Sequence, residues 1–148
     1  TRHATFRFPA QGLRAVRLRQ TAAHTPDHWT VTEVRLYHDN KELPRAPQWR
    51  LRASPNPWDV QEAFDNSAVT RWGSWQVAYP GMRIEVEFPS PASLDAVLVE
   101  TSLDVAATRM ELDGKDPGGV WHTIGRQPVI TEAPPPLGLR REAAAVLK

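Results

Sequence analysis

With 148 residues, 24% of them charged, 41% hydrophobic and a net charge of +1, the chain has the length of one domain. A chain of that size buries roughly 68–70% of its unfolded surface, enough for a core without covalent staples. Cysteine is absent, which excludes disulfides, thiolate zinc sites and thiol catalysis.

Arginine outnumbers lysine fifteen to three, and charge is unevenly spread. Residues 1–52 carry ten basic and four acidic side chains, residues 53–148 eight and thirteen. Such a split marks either a polyanion-binding arm or two halves interleaved in one fold. No nucleic-acid module is recognisable, so interleaving is the favoured reading and no nucleic-acid partner is expected. No apolar run reaches about 18 residues and no signal-peptide pattern is visible, so direct membrane insertion is not expected either.

Period-two alternation predicts strands at residues 5–8, 13–19, 31–37, 49–52, 82–88, 94–101, 108–112 and 120–124. The pattern is clearest over 82–88, where Met82, Ile84, Val86 and Phe88 share one face and Arg83, Glu85 and Glu87 the other. Turn signals separate the strands at Asp39-Asn40, Ser54-Pro55-Asn56-Pro57, Tyr79-Pro80-Gly81, Pro89-Ser90-Pro91 and residues 113–119. Many short strands with Gly/Pro punctuation and almost no helix predict an all-β antiparallel sandwich or jelly roll. Four or more of the six tryptophans are expected in its core, with Trp49, Trp72 and Trp121 placed there by their strand positions. Pro134-Pro135-Pro136 then forms a stiff spacer, after which Leu139, Ala143, Val146 and Leu147 fall at helical spacing. The domain is therefore expected to cover residues 1–133, with 134–148 a Pro-rich linker and the start of a short C-terminal helix. The chain opens on Thr1 and stops within that helical pattern, as a piece of a longer protein would.

Two stretches carry candidate chemistry. In the run 63–72, Asp65-Asn66-Ser67 lies between the apolar anchors Phe64 and Trp72, and the Thr70 hydroxyl follows the Asp65 carboxylate by five residues. Calcium takes roughly six to eight hard oxygen donors, and a pinned loop turns several inward together. Alternatively, Asp65 and Asn66 make an Asx-turn, Thr70 satisfies a backbone group and no ion is present. The second stretch, His24-Thr25-Pro26-Asp27-His28, places two imidazoles near a carboxylate. Pro26 bars the helix that would align them, so a polar loop or the lip of a ligand site is expected rather than a metal centre. Gly-x-Ser-x-Gly and P-loop patterns are missing, and catalysis is not expected.

Four segments in order resemble the discoidin family, also called coagulation factor V/VIII type C domains, whose bacterial members include many galactose-binding-like carbohydrate modules. They are residues 49–54 ending in Ala53-Ser54, the 63–72 run, the strand after Pro80-Gly81, and Asp113-Gly114 followed by Trp121. The resemblance covers most of the chain but departs from the family in order. Residues 15–19 look like the family's penultimate strand and residues 29–37, with Glu33, like its last, yet here they come first. A circular permutation explains this, because sandwich termini often lie close together. The competing explanation is the tail of one domain followed by an incomplete second.

The resemblance implies a galactose-binding-domain-like jelly-roll β-sandwich. It further implies a structural calcium held by Glu33, Asp65 and Thr70 with backbone carbonyls near Ala63 and Ala68. Asn66 stands where glycine is common, although Asn tolerates left-handed geometry. The alternative role for Glu33 is a salt bridge to Arg71 or another strand arginine. Ligand contact would fall on loops at one end of the sandwich, through Trp58 with Asn56 and Asp59, and through Trp75 or Tyr79 with Gln76. An aromatic plate with a few fixed polar groups is what a sugar ring requires. The implied function is a non-catalytic accessory carbohydrate-binding module of a larger bacterial protein, periplasmic or at the cell surface, and monomeric as an isolated domain. The alternative is a structural or protein-interaction domain of a parent enzyme, membrane-associated or glycan-processing, with no small ligand. A third reading is an anionic-lipid or polyanion binder.

Overall fold

A computed structural model describes residues 2–132. The expected spacer and helix over 134–148 lie outside these residues. Among the described residues nine strands, every pair antiparallel, form one hydrogen-bonded network. They are β1 (Arg2–Gln20), β2 (His28–His38), β3 (Lys41–Glu42), β4 (Arg50–Ser54), β5 (Trp72–Val77), β6 (Arg83–Thr101), β7 (Met110–Lys115), β8 (Trp121–Gly125) and β9 (Val129–Glu132). Short 3-10 helices cover Pro57–Ala63 and Val105–Thr108.

Two strands of 19 residues, β1 and β6, organise the rest. They pair along their length but break register between Arg7 and Gln11 and again between Leu13 and Ala15. Pro9, Pro89 and Pro91 fall in these breaks, where a residue without an N–H costs no ladder bond. The sequence predicted a turn at residues 89–91 and separate strands on either side; instead the strand bends and continues. Beyond the break the partners change. The first half of β1 and second half of β6 are flanked by β9 and by β2, which also carries β3 and β5. The second half of β1 and first half of β6 are flanked by β7–β8 and by β4.

The two groups share a sandwich-like core. Ala4, Phe6 and Phe8, Val34 and Leu36, and Val97 and Val99 bury one set of alternate positions; Val16, Leu18, Ile84, Val86 and Leu112 bury the other. Closure is tight where β8 meets β1: a Cβ on Gly125 would stand 2.5 Å from the Phe6 ring. Two edge-to-face pairs, Trp29 with Trp72 and Trp49 with Phe88, add directional contacts to this core. Trp121 differs from expectation. It is only half-buried, on the outer face, beneath the Arg17 guanidinium at 4.1 Å from its ring centre. The buried tryptophans are Trp29, Trp49 and Trp72.

Basic N-terminal strands do lie against acidic later ones. Arg17 pairs with Glu85 and Asp113, Arg19 with Glu111 and Asp113, Arg35 with Glu100 and Arg52 with Glu87. Burial pushes the Asp113 carboxyl up, but hydrogen bonds from Arg19, Arg17 and Thr123 outweigh that and hold it below its ordinary value.

Candidate functional site

The aromatic loop residues converge through one buried amide. Asn56, at a left-handed φ of 56°, opens the helix Pro57–Ala63 that carries Trp58. Its Nδ2 donates to Asp59 Oδ2 at 3.1 Å and to the Gly73 carbonyl at 2.7 Å, while Trp72 Nε1 donates to its carbonyl at 2.8 Å. The Trp58 turn is thereby fastened to β5 two residues before Trp75. Asn56 is buried and stands behind the loop instead of on its ligand face, a correction to its predicted role.

Trp75 sits on a bulge. Residues 74–76 oppose the single residue Trp29, between the pairs Thr30–Gly73 and His28–Val77. Ser74, fully buried, replaces the missing ladder bond: its Oγ accepts from Trp29 N at 3.1 Å and donates to the Gln76 carbonyl at 2.7 Å. The bulge turns Trp75 outward, at φ 62° and 65% exposed. A left-handed backbone at a bulky aromatic costs on the order of 1–3 kcal/mol, and such strain concentrates at functional positions. Trp58 (74%) and Tyr79 (42%) are also exposed, and so is Gln76, while Asp59 is half-buried.

Sequence reasoning missed two apolar neighbours, Val77 and Val105, both exposed. Asp27 brings them together: its carbonyl accepts from Ala78 N at 2.8 Å and its carboxylate from Val105 N at 3.2 Å. The His24–His28 stretch is accordingly a lip beside this end, bordering a cavity of about 510 Å³ lined by His24, Thr25, Asp27, Val105 and Arg109 among others.

The candidate calcium loop lies apart from these aromatics, against the outer face of β2. Both Glu33 oxygens accept from Asn66 N at 3.0 Å, with Asn66 at a left-handed φ of 58°. Asp65 Oδ1 accepts from Ser67 N at 3.1 Å, which is an Asx-turn. Its Oδ2 accepts from Thr70 Oγ1 at 2.5 Å, so the hydroxyl serves a carboxylate instead of the backbone. Glu33 is 3% exposed and enters no ion pair among the described residues; Arg35 is directed to Glu100, Glu42 and Asn66. Burial, with Asp65 and Glu100 nearby, pushes the Glu33 carboxyl up to about 8 against the Asn66 N–H and Arg35. Among the described residues no three His, Cys, Asp or Glu side chains form a metal-holding group. The expected donor set has only two carboxylates, completed by a hydroxyl and carbonyls. With its carboxyl pushed up to about 8, Glu33 is largely protonated at neutral pH, so a calcium ion taking the Glu33 and Asp65 oxygens would have to displace that proton.

No protein-family model, curated protein or solved structure matches the chain.

Proposed function

We propose that this chain is a non-catalytic accessory binding module of galactose-binding-like jelly-roll type, which engages carbohydrate through the Trp58, Trp75 and Tyr79 end. The observation that carries this reading is Trp75: an exposed indole held out on a strained bulge by a fully buried serine. Trp58 and Tyr79 offer further plates for sugar C–H faces, and Asp59 and Gln76 the polar groups beside them. In this reading the module belongs to a larger extracytoplasmic bacterial protein. Calcium, held by Glu33, Asp65, Thr70 and the Ala63 and Ala68 carbonyls, would displace the Glu33 proton and fasten the 65–70 loop to β2. Its role is structural.

A second reading has one observation in its favour. Val77 and Val105 extend the aromatic end with aliphatic surface, which suits a partner protein domain better than a sugar.

A glycan array read with the parent chain, with Trp58→Ala and with Trp75→Ala separates the two. Carbohydrate binding is expected at about the millimolar level, near −4 kcal/mol, and each substitution should remove it. A silent array would leave the protein-contact reading in its place, and binding that survives both substitutions would defeat the assignment of the sugar to this end.

A further inference from the structure

A second cavity, of about 250 Å³, lies on the outer face of the first strand group, away from the aromatic end. Strand register explains its shape. Tyr37, Ala96 and Arg7 form one row across β2, β6 and β1, and Arg35, Leu98 and Thr5 the next. The middle strand therefore contributes a low apolar floor of Ala96 and Leu98, with Tyr37 standing on one side and Arg7 on the other. Asp39 and Asn40, both at left-handed φ, turn the chain from β2 into β3 and close one end. Asp39 N donates to Asp95 Oδ2 at 3.0 Å, which fixes that carboxylate at the rim.

The charges in this cavity are the informative part. Neither Arg7 nor Asp95 enters an ion pair with any described residue, in a structure where most strand arginines do. One exposed cation, Arg7, and one anchored carboxylate, Asp95, thus line the same small space, with His3 on its wall as well. The geometry points to a binding site for a small zwitterion of free amino acid size. Its carboxylate pairs with the Arg7 guanidinium, whose planar fork suits that group. Its ammonium lies between Asp95 and the Tyr37 ring, and its side chain covers Leu98. At about 250 Å³ the space falls short of the roughly 300–1,000 Å³ of drug-sized pockets, which favours a ligand of few heavy atoms. The inference stands independently of the carbohydrate reading.

Amide NMR of the full chain, titrated with glycine, L-alanine and L-leucine to about 10 mM, tests it, a range that detects dissociation constants up to the millimolar level. Shifts are expected at Tyr37, Ala96 and Leu98. Arg7→Gln and Asp95→Asn should each weaken binding about tenfold or more, and the Asn variant keeps an oxygen for Asp39 N. Propionate and propylammonium, each with one charge, should bind about tenfold more weakly than alanine. No shift with any of the three amino acids, unaltered binding in both variants, or equal binding of propionate would overturn the proposal. Loss of amino acid binding in Trp58→Ala with Trp75→Ala would also overturn it, by placing the ligand at the aromatic end.

Discussion

Ser74 is where the local chemistry of the aromatic end is decided. Its hydroxyl is the acceptor for a buried Trp29 N–H and the donor that shapes the bulge. Ser74→Ala leaves that N–H without a partner, at a cost of about 1–3 kcal/mol in chemical denaturation, and frees Trp75 from its fixed presentation. Glycan affinity should fall with it; full affinity in a destabilised Ser74→Ala chain would show that the bulge is not what positions the indole. The resemblance placed Trp58 and Trp75 at the surface, whereas composition alone put four or more of the six tryptophans in the core, where the structure buries three. The inward turn of Asn56 was not legible in the sequence, since a polar residue beside Trp58 reads equally well as ligand contact or as scaffold. Only the Gly73 carbonyl, 17 residues away, settles which it is.

Among elements, the alternation of apolar residues located most of the sheet but not its continuity. The halves of β1 and β6 each read as separate strands, because proline ordinarily ends one. Here the prolines lie in the register breaks, where the two long strands pass from one set of partners to the other. β5 went unread for a related reason: its bulge destroys the period over residues 74–76. β9, four exposed residues, has no buried face to produce a period at all. Joining both groups through β1 makes the β8–β1 contact a sensitive point. Gly125→Ala would drive a methyl into the Phe6 ring, and thermal denaturation should register a loss of about 1–3 kcal/mol. An unchanged melting temperature would mean that the two groups do not close against each other at Gly125.

For the whole molecule, the uneven charge of the two chain halves becomes a network of cross-strand pairs, which the sequence did indicate. What it left open was which buried carboxyl lacks a paired cation among the described residues. Glu33 titrates near 4.5 when unfolded but about 8 when folded, so between these values the folded state holds the extra proton. Stability contributed by that proton is complete below about 4.5 and declines as pH rises towards 8. Asp113, held low, acts oppositely: its contribution is present above the ordinary carboxylate value and is lost as pH falls through its folded value. In chelator, melting temperature should therefore drop from pH 5 to pH 8, and Glu33→Gln should flatten the drop. Calcium at about 100 times its dissociation constant should flatten it too and add about 2.7 kcal/mol, a gain absent in Asp65→Ala. A melting temperature indifferent to both calcium and chelator would leave the 65–70 loop as an Asx-turn alone.

The central claim, that the exposed indoles form a carbohydrate-binding end, is tested most directly by following the indole Nε1–H resonances while a glycan series is titrated into the chain. The account predicts that Trp58 and Trp75 shift with a common millimolar dissociation constant, a binding free energy of about −4 kcal/mol, while the buried Trp29 and Trp72 stay in place. Shifts at neither exposed indole across the series, or equal shifts at the buried pair, would contradict it.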